Sequence, residues 1–338
     1  MKYTGYRMKE INMKFTEGYW EKSERANASH AMHAFVVEEI PNGMRVIAPF
    51  HKINDRADAL DVGTITTEFT ATRKDIISVR SWHFEGYQKK EPRFELNTDV
   101  QDVTVKINDK EAVMTAGRMQ VIVDREEFKI TYMADGKVLT TCGFRNLGYM
   151  QYDRECMTKF PQENYMAARY TPYMSTELSL APGECVYGLG ERVTSFVKNG
   201  QVVDCWNEDG GTASQISYKN IPFYMTNKNY GVLVDHTDNV SFEVASEKVE
   251  YVGFSVKGEE IRFHLVYGDS MKDVIRNYTD LTGKPALPPT WSFGLWLTTS
   301  FTTNYDEETT SSFINGMAER DIPLEVFLSL IHISEPTR

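Results

Sequence analysis

The stretch from Ile261 to Leu297, IRFHLVYGDSMKDVIRNYTDLTGKPALPPTWSFGLWL, predicts a change of fold class partway along the chain. Its beginning alternates like a β-strand with one buried face, formed by Ile261, Phe263, Leu265 and Tyr267. From Met271 to Gly283 the period becomes helical, and the apolar face consists of Val274, Ile275, Tyr278 and Leu281. Three prolines follow between residues 285 and 289, so we predict a domain boundary between residues 284 and 285.

Toward the N-terminus, short alternating runs separated by turn residues repeat from about Phe35 to Tyr267. Two turns carry the strongest hairpin signals, Pro41-Asn42-Gly43 and Asp135-Gly136, because these residue types accept the positive φ angles of tight turns. Many short strands at this spacing predict a large β-sandwich, which we assign to residues 13–284.

Beyond the prolines, the order becomes strand, helix, strand. Trp291 to Leu297 is a nearly continuous apolar run of the kind that is buried on both faces of a parallel sheet. A helix is predicted from about Tyr305 to Glu319, and Pro323 to Phe327 forms a second apolar strand. We interpret residues 285–327 as the opening βαβ unit of an α/β domain, so the fold class is multi-domain, β followed by α/β.

Both ends of the chain depart from this organisation. Residues 1–12 have no clean period and precede Met13, so we expect a non-native leader and a true start at Met13. Leu328 to Arg338 neither completes a turn nor begins a helix, and it resembles the translation of sequencing-adapter read-through. We expect residues 328–338 to be an artefactual tail on an N-terminal fragment.

Composition and charge exclude several classes of protein. With 41% hydrophobic and 25% charged residues, the 338-residue chain is typical of a globular protein. Its 37 Lys and Arg against 48 Asp and Glu leave a formal charge of −11, the wrong sign for a nucleic-acid partner. The 4 cysteines form no C-x-x-C pair, which predicts reduced thiols. No apolar run approaches the ~18 residues of a membrane span, so we expect no membrane partner and a cytoplasmic protein.

Two stretches carry loop chemistry beyond what turns require. In Trp206 to Thr212, WNEDGGT, an indole and the carboxylates of Glu208 and Asp209 stand beside a conformationally free Gly210-Gly211 pair. A sugar site uses such acceptors for hydroxyl groups and an aromatic face for stacking, although a solvated turn is the simpler interpretation of this stretch alone. Phe301 follows the first apolar strand, where parallel α/β folds contact substrate, and a packing role explains it equally well.

Other candidate sites lack essential members. His30 and His33 have no further ligand to complete a metal site. Gly188-x-Gly190 lacks the third glycine and the following helix of a dinucleotide fingerprint, and no serine has nucleophile-elbow glycines. Three histidines in strand-like, apolar surroundings are interpreted as structural, namely His83, His236 and His264.

Four long segments in one order carry a more specific signal: Val186 to Arg192 (VYGLGER), Tyr218 to Thr226 (YKNIPFYMT), Tyr230 to Val234 (YGVLV) and Gly283 to Asp306 (GKPALPPTWSFGLWLTTSFTTNYD). Together they resemble glycoside hydrolase family 31. The combination of Lys198-Asn199-Gly200-Gln201 with WNEDGGT looks like its bacterial α-xylosidase branch. The resemblance spans residues 13 to 327 and is strongest from Val186 onward.

The resemblance implies an N-terminal galactose-mutarotase-like β-sandwich followed by a (β/α)8 barrel. It also implies hydrolysis of terminal α-linked sugars with retention, by an aspartate nucleophile and an aspartate acid/base whose carboxyl groups lie ~5–5.5 Å apart. Both catalytic aspartates belong to later barrel strands in the family, so this chain contains neither. Two positions match family substrate contacts: Asp209 would accept hydrogen bonds from sugar hydroxyls, and Phe301 would form an apolar wall. Asp306 is better interpreted as a first-turn helix residue.

We therefore expect a fragment of a retaining glycosidase that acts on terminal α-D-xylosyl residues of xylo-oligosaccharides or α-xylosides. The fragment itself should be inactive and prone to aggregate through an unpaired strand edge. An α-glucosidase of the same family is the near alternative, and a non-catalytic carbohydrate-binding β-sandwich protein is the alternative from another class. Hydrolysis by two carboxylates implies no cofactor and no metal. The partner is an α-xyloside or related oligosaccharide, and the resemblance is compatible with a homo-oligomer of the full-length protein.

Overall fold

The computed structural model describes residue 15 and residues 26–86, 93–153, 170–208, 214–299 and 306–328. The chain divides into two units, Met1–Gly283 and Lys284–Arg338. In the described residues, the first unit consists of antiparallel strands and one helix, and the second contains a short parallel βαβ element. The predicted leader at residues 1–12 lies outside the described residues, as does the predicted tail after its first residue.

The first unit begins with ten strands: β1 (Ala26–His30), β2 (Val36–Ile40), β3 (Gly43–Pro49), β4 (Thr64–Arg73), β5 (Ile76–Trp82), β6 (Thr104–Ile107), β7 (Glu111–Ala116), β8 (Met119–Asp124), β9 (Lys129–Ala134) and β10 (Lys137–Cys142). It continues with β11 (Leu147–Asp153), β12 (Tyr170–Ser179), β13 (Val186–Gly188), β14 (Gln201–Cys205), β15 (Phe223–Thr226), β16 (Tyr230–Val234), β17 (Val240–Val244), β18 (Tyr251–Lys257) and β19 (Glu260–Tyr267). Helix α1 (Met271–Thr282) follows.

The described strands of this unit form three antiparallel sheets around a common core. Their orders are β1-β11-β12-β18-β17-β14, β10-β9-β8-β7-β6 and β13-β15-β16-β19-β5-β4-β3-β2. Buried apolar side chains from all three sheets belong to one cluster, with Met44 of β3, Val121 of β8 and Phe242 of β17 as examples. The predicted β-sandwich is confirmed, and its cohesion comes from removing these faces from water.

The two predicted hairpins form for different physical reasons. Asp135 and Gly136 both have positive φ angles, 48° and 72°, as expected for a tight turn between β9 and β10. At the other hairpin only Asn42 has a positive φ, 58°, while Gly43 already belongs to β3. A Cβ on Gly43 would lie 2.0 Å from the main-chain oxygen of Phe69. The glycine is therefore required by the close approach of β4, not by turn geometry.

Strand β19 is buried on both faces, which differs from the alternation that the sequence predicts. Val266 lies on the face expected to be less apolar, yet it is fully buried. It packs in a second cluster with Phe223 of β15 and with Val274 and Leu281 of α1. Helix α1 thus covers the outer face of the eight-stranded sheet, and each fully buried Val or Leu contributes ~1.5–3 kcal/mol.

Helix α1 has the predicted extent but a narrower buried face. Ser270 is the N-cap, and its side-chain oxygen accepts from Asp273 N at 3.3 Å, while Gly283 ends the helix with a φ of 100°. Val274 is buried, but its neighbour Ile275 is 43% exposed, so the prediction that Ile275 faces inward is wrong. Within the described ranges, no helix has the length and apolar character needed to cross a membrane.

The second unit contains β20 (Trp296–Leu297), α2 (Glu307–Glu319) and β21 (Val326–Phe327). The two strands pair in parallel, with Trp296 opposite Val326 and Leu297 opposite Phe327. Phe313 of α2 stacks on Phe327 with ring centroids 6.3 Å apart. The predicted βαβ order is confirmed.

Two local expectations for this unit are corrected. Residues Thr290–Phe293 form a 3-10 turn instead of the start of a strand. The pairing of this segment with β21 begins at Leu295, whose main-chain oxygen accepts from Val326 N at 3.2 Å. An apolar run permits a strand, but its length is set by the partner to which it can hydrogen-bond. Asp306 is the N-cap of α2 rather than a first-turn residue, because its carboxylate accepts from Thr309 N at 2.7 Å.

Candidate functional site

The glycine-containing turn after β13 lies directly against residues 219–223. Glu191 N donates to Lys219 O at 2.9 Å. Gly190 has a φ of 88°, and a Cβ at this position would lie 2.3 Å from Lys219 O. Gly188 has a φ of 111°, and its Cβ would lie 2.6 Å from Phe223 O. Both glycines are explained by this backbone approach and need no phosphate-binding role.

Arg192, the last residue of the VYGLGER segment, joins four separate stretches of chain. Its Nε donates to Leu189 O at 3.0 Å, its Nη2 to Asp204 O at 2.8 Å and its Nη1 to Gln215 O at 3.1 Å. Nη2 also donates to the side-chain oxygen of Asn220. The planar guanidinium has five donors in fixed directions, which suits it to hold several carbonyl groups at once.

Asn220 continues this connection into the loop that precedes it. Its backbone N donates to Asn207 Oδ1 at 2.9 Å, and its Nδ2 donates to Trp206 O at 2.7 Å and to Ser217 O at 2.9 Å. Glu208 N donates to Ser217 O at 3.0 Å. Residues 206–208 and 214–220, which we call the loop base, are therefore tied to each other and to Arg192.

The Lys198-Asn199-Gly200 turn supports the neighbouring chain. The Lys198 amine is buried and donates to Thr194 Oγ1 at 3.0 Å and to Ser195 O at 2.8 Å. Burial, with a smaller contribution from a nearby arginine, lowers the pKa of this amine. Asn199 Oδ1 accepts from Val186 N at 2.8 Å. These residues hold local backbone and are not aimed at a ligand.

The cysteines of the described residues are free thiols. Cys142 and Cys205 are buried, and Cys185 is half-buried. Burial raises the pKa of the Cys205 thiol to about 11, although Arg192 acts in the opposite direction. A neutral thiol next to the loop base is a packing group and not a nucleophile.

The two substrate-contact residues expected from the sequence, Asp209 and Phe301, lie outside the described residues. The structure nevertheless describes both flanks of Asp209, since Glu208 and Ser217 are hydrogen-bonded across the loop base. The described residues contain no group of three or more His, Cys, Asp or Glu side chains placed to hold a metal ion. What they provide is the hydrogen-bonded loop base, formed by the residues that precede and follow residues 209–213 in the sequence.

Two of the histidines interpreted as structural have side-chain partners within the sandwich. His83 Nδ1 lies 2.8 Å from Glu259 Oε2, and the imidazole stacks on Tyr149 with ring centroids 3.8 Å apart. His264 Nδ1 lies 2.6 Å from Ser78 Oγ. These contacts join strands of different sheets or neighbouring strands and agree with a structural role.

Sequence reasoning missed Arg192 and Asn220 as the residues that organise the loop base. Both residues occur in segments that carry the family resemblance, but neither was assigned a role of its own there. A charged or amide side chain next to a Gly-x-Gly turn indicates hydrogen bonds from that side chain to nearby main-chain carbonyl groups. The partners of that bracing, Asp204 and Gln215, are separated in sequence and could not be named in advance.

The comparison with known proteins covers both units. Residues 66–243 match the model of the glycosyl hydrolase 31 N-terminal galactose mutarotase-like domain, and residues 285–335 match that of the glycosyl hydrolases family 31 TIM-barrel domain. The chain is 40% identical to Alpha-xylosidase XylQ of Lactiplantibacillus pentosus, over 93% of this chain and 40% of that protein. It is 39% identical to an Alpha-xylosidase of Emericella nidulans, over 93% of this chain and 41% of that protein. The chain thus spans about 40% of the length of these curated relatives.

Among solved structures, the cycloalternan-forming enzyme from Listeria monocytogenes has the same fold. The superposition has a TM-score of 0.70 at 17% identity and covers 89% of this chain and 27% of that enzyme. The match to the mutarotase-like domain alone covers more than half of the 338 residues. The match to the TIM-barrel domain follows it along the chain, just as the βαβ element follows the antiparallel sheets. The chain therefore belongs to glycoside hydrolase family 31.

Proposed function

We propose that this chain is part of a retaining glycosidase that removes terminal non-reducing α-D-xylosyl residues from xylo-oligosaccharides or α-xylosides. The observation that carries the proposal is the identity of 40% and 39% to two proteins named alpha-xylosidase, over 93% of the chain. The loop base is consistent with it, because Asn220 joins Arg192 to Trp206, three positions before Asp209 in the sequence.

In this proposal the two expected contact residues have distinct roles. The Asp209 carboxylate accepts hydrogen bonds from sugar hydroxyl groups, and Phe301 provides an apolar wall beside the ring. The nucleophile and the acid/base are aspartates of later barrel strands, with carboxyl groups ~5–5.5 Å apart around the anomeric carbon. The 338-residue chain by itself has no hydrolytic activity, and the complete enzyme is cytoplasmic.

The test compares the 338-residue chain with the longest product of its gene. Each is incubated with p-nitrophenyl α-D-xylopyranoside and with p-nitrophenyl α-D-glucopyranoside, and the anomer first released is identified by proton NMR. We expect hydrolysis only by the longest product, with the xyloside preferred and the α-anomer released first. Preference for the glucoside would support the α-glucosidase alternative instead, and hydrolysis by the 338-residue chain would contradict the assignment of catalysis to later strands.

A further inference from the structure

A cavity of about 260 Å³ lies beside the loop base, within the first unit. Two aromatic residues from distant parts of the sequence line it, Phe94 and Trp206. Polar groups line it as well, among them Asn207, Thr237 and Asp238. No role assigned above to Asp209 or Phe301 involves this cavity.

Both aromatic residues are open to solvent. Phe94 is 55% exposed and Trp206 is 45% exposed. An exposed indole or phenyl ring leaves a large apolar area in water, and apolar surface of this kind, ringed by polar groups, commonly marks a binding site. Trp206 also offers a ring face, the surface on which the C–H face of a sugar stacks.

The backbone on each side of the cavity is held in place. Trp206 O accepts from Asn220 Nδ2 at 2.7 Å. Next to Phe94, Arg93 Nη2 lies 2.7 Å from Glu260 Oε1, and three residues later Asn97 N donates to Leu281 O at 2.7 Å. Both aromatic residues lie next to residues that these contacts hold in place. Binding of a ligand beside them therefore costs little conformational entropy of the chain.

The charge of the lining selects among ligands. The lining residues, all within the described ranges, include Asp238 but no lysine or arginine. The Cys205 thiol in the lining is neutral, since burial raises its pKa to about 11. The lining also contains the imidazole of His236. An anionic ligand would meet the Asp238 carboxylate with no lysine or arginine in the lining to offset it, whereas a neutral ligand with hydroxyl groups can donate to Asp238 and exchange hydrogen bonds with Asn207.

The volume limits the ligand further. About 260 Å³ is close to the lower end of the range of small-molecule sites, roughly 300–1,000 Å³. That space accommodates a single sugar ring with part of a neighbour rather than an extended chain.

We propose that this cavity is a sugar-binding site of the β-sandwich unit, in which a neutral pyranose ring stacks on Trp206 and donates a hydroxyl hydrogen to Asp238. Phe94 forms another part of the wall. The inference rests on the proposed function only for its choice of sugars, because the site is formed by residues of the first unit and requires no catalytic step.

The probe is D-xylose, with D-glucose in parallel, titrated into the 338-residue chain. Binding is followed by saturation-transfer NMR and by tryptophan fluorescence, after circular dichroism has shown that the chain is folded. We expect dissociation constants of about 1–10 mM, and Trp206→Ala should weaken binding at least about tenfold. Phe144→Ala is the matched control, since Phe144 is exposed elsewhere in the unit and should leave binding unchanged.

Two further variants keep the result decisive. Trp206→Phe retains an aromatic face and should keep most of the affinity even if Trp206→Ala fails to fold, and Asp238→Asn should weaken binding without loss of structure. No binding of either sugar by the folded chain at about 100 mM would overturn the proposal. Binding that is equally strong in Trp206→Ala and Asp238→Asn would overturn it too. Sugar binding that depends on Trp206 would stand even if the longest gene product hydrolysed no α-xyloside, so the two proposals fail separately.

Discussion

The side-chain amide of Asn220 donates to the main-chain oxygen of Trp206 at 2.7 Å, while its side-chain oxygen accepts from the guanidinium of Arg192. One asparagine thus connects the VYGLGER segment to the strand end from which the Asp209 loop departs. An amide can do this because it is donor and acceptor at once. The relationship ties the backbone at Trp206 to Arg192 through a single side chain.

Replacement of this arginine by lysine should loosen the loop base. Arg192→Lys keeps the charge but loses the fork that reaches Leu189 O, Asp204 O and Gln215 O. We expect the free energy of unfolding to fall by about 1–3 kcal/mol and limited proteolysis within residues 206–220 to accelerate. Arg276→Lys is the control, because that exposed side chain forms a helical i,i+3 pair with Asp273, and its cost should stay within about 0.5 kcal/mol.

Two glycines with similar backbone angles should respond differently to alanine. Gly190→Ala places a Cβ 2.3 Å from Lys219 O, whereas Gly183→Ala, with a φ of 75°, meets no atom within 4 Å. The second change should cost about 1 kcal/mol of backbone strain, and the first should cost at least about 2 kcal/mol more. Urea unfolding of both variants measures the difference, and equal losses would contradict the close approach of the two backbones.

Adjacent residues of α1 provide a test of which helix face is buried. Val274→Ala removes two methyl groups from a fully buried position, so unfolding free energy should fall by about 2 kcal/mol. Ile275→Ala removes more carbon atoms from a side chain that is 43% exposed, and its cost should be below about 1 kcal/mol. Thermal denaturation of the two variants measures both losses of stability. A larger loss for Ile275→Ala than for Val274→Ala would contradict the buried face that the structure shows.

The acid stability of the sandwich should depend on Glu260. Burial alone would raise the pKa of this carboxyl, but hydrogen bonds from Arg80 and Arg262 outweigh it and hold the pKa below its ordinary value. Because the folded-state pKa is lowered, the stabilisation is present above the ordinary Glu value of about 4.3 and is lost as pH falls through the folded pKa.

Glu260→Gln should therefore reduce the dependence of unfolding free energy on pH below about pH 4.3. It should also lower stability at neutral pH, because Arg80 and Arg93 would lose the charge of their buried partner and one of its two acceptor oxygens. Glu39→Gln, at an exposed position of β2, is the control and should leave the pH dependence unchanged. A Glu260→Gln curve parallel to that of the parent would show that this carboxyl does not contribute.

For catalysis, Asp209 is the residue to change in the longest gene product. Asp209→Asn should lower kcat/KM for p-nitrophenyl α-D-xylopyranoside by about 10- to 100-fold, because a hydrogen bond to a charged acceptor contributes about 1.5–3 kcal/mol. Glu208→Gln, at the neighbouring position, should change it less than about threefold. Equal effects of the two changes would contradict a specific role for Asp209 in sugar binding.

Much of the fold follows from local patterns that physical chemistry makes reliable. The alternation at Ile261, Phe263 and Leu265 appears as a strand in which these three apolar side chains are all buried. The helix from Met271 and its end at Gly283 also match expectation, since capping and the positive φ of glycine act within one turn.

Other features depended on contacts between residues far apart in sequence. Val266 is buried because α1 happens to cover its face of the sheet, and alternation along one strand cannot report what lies above it. Gly43 is required by the nearness of Phe69 O, and Arg192 donates to carbonyl groups of two other segments, at Asp204 and Gln215.

By itself, the sequence determined the β-then-α/β order and the family, since each depends on residues within a few positions of one another. The tertiary structure decided which faces are covered, which glycines are indispensable and which side chains, Phe94 and Trp206 among them, line one cavity. The physical reason is that burial and hydrogen-bond satisfaction are properties of pairs of surfaces, and the second surface of each pair comes from another part of the chain.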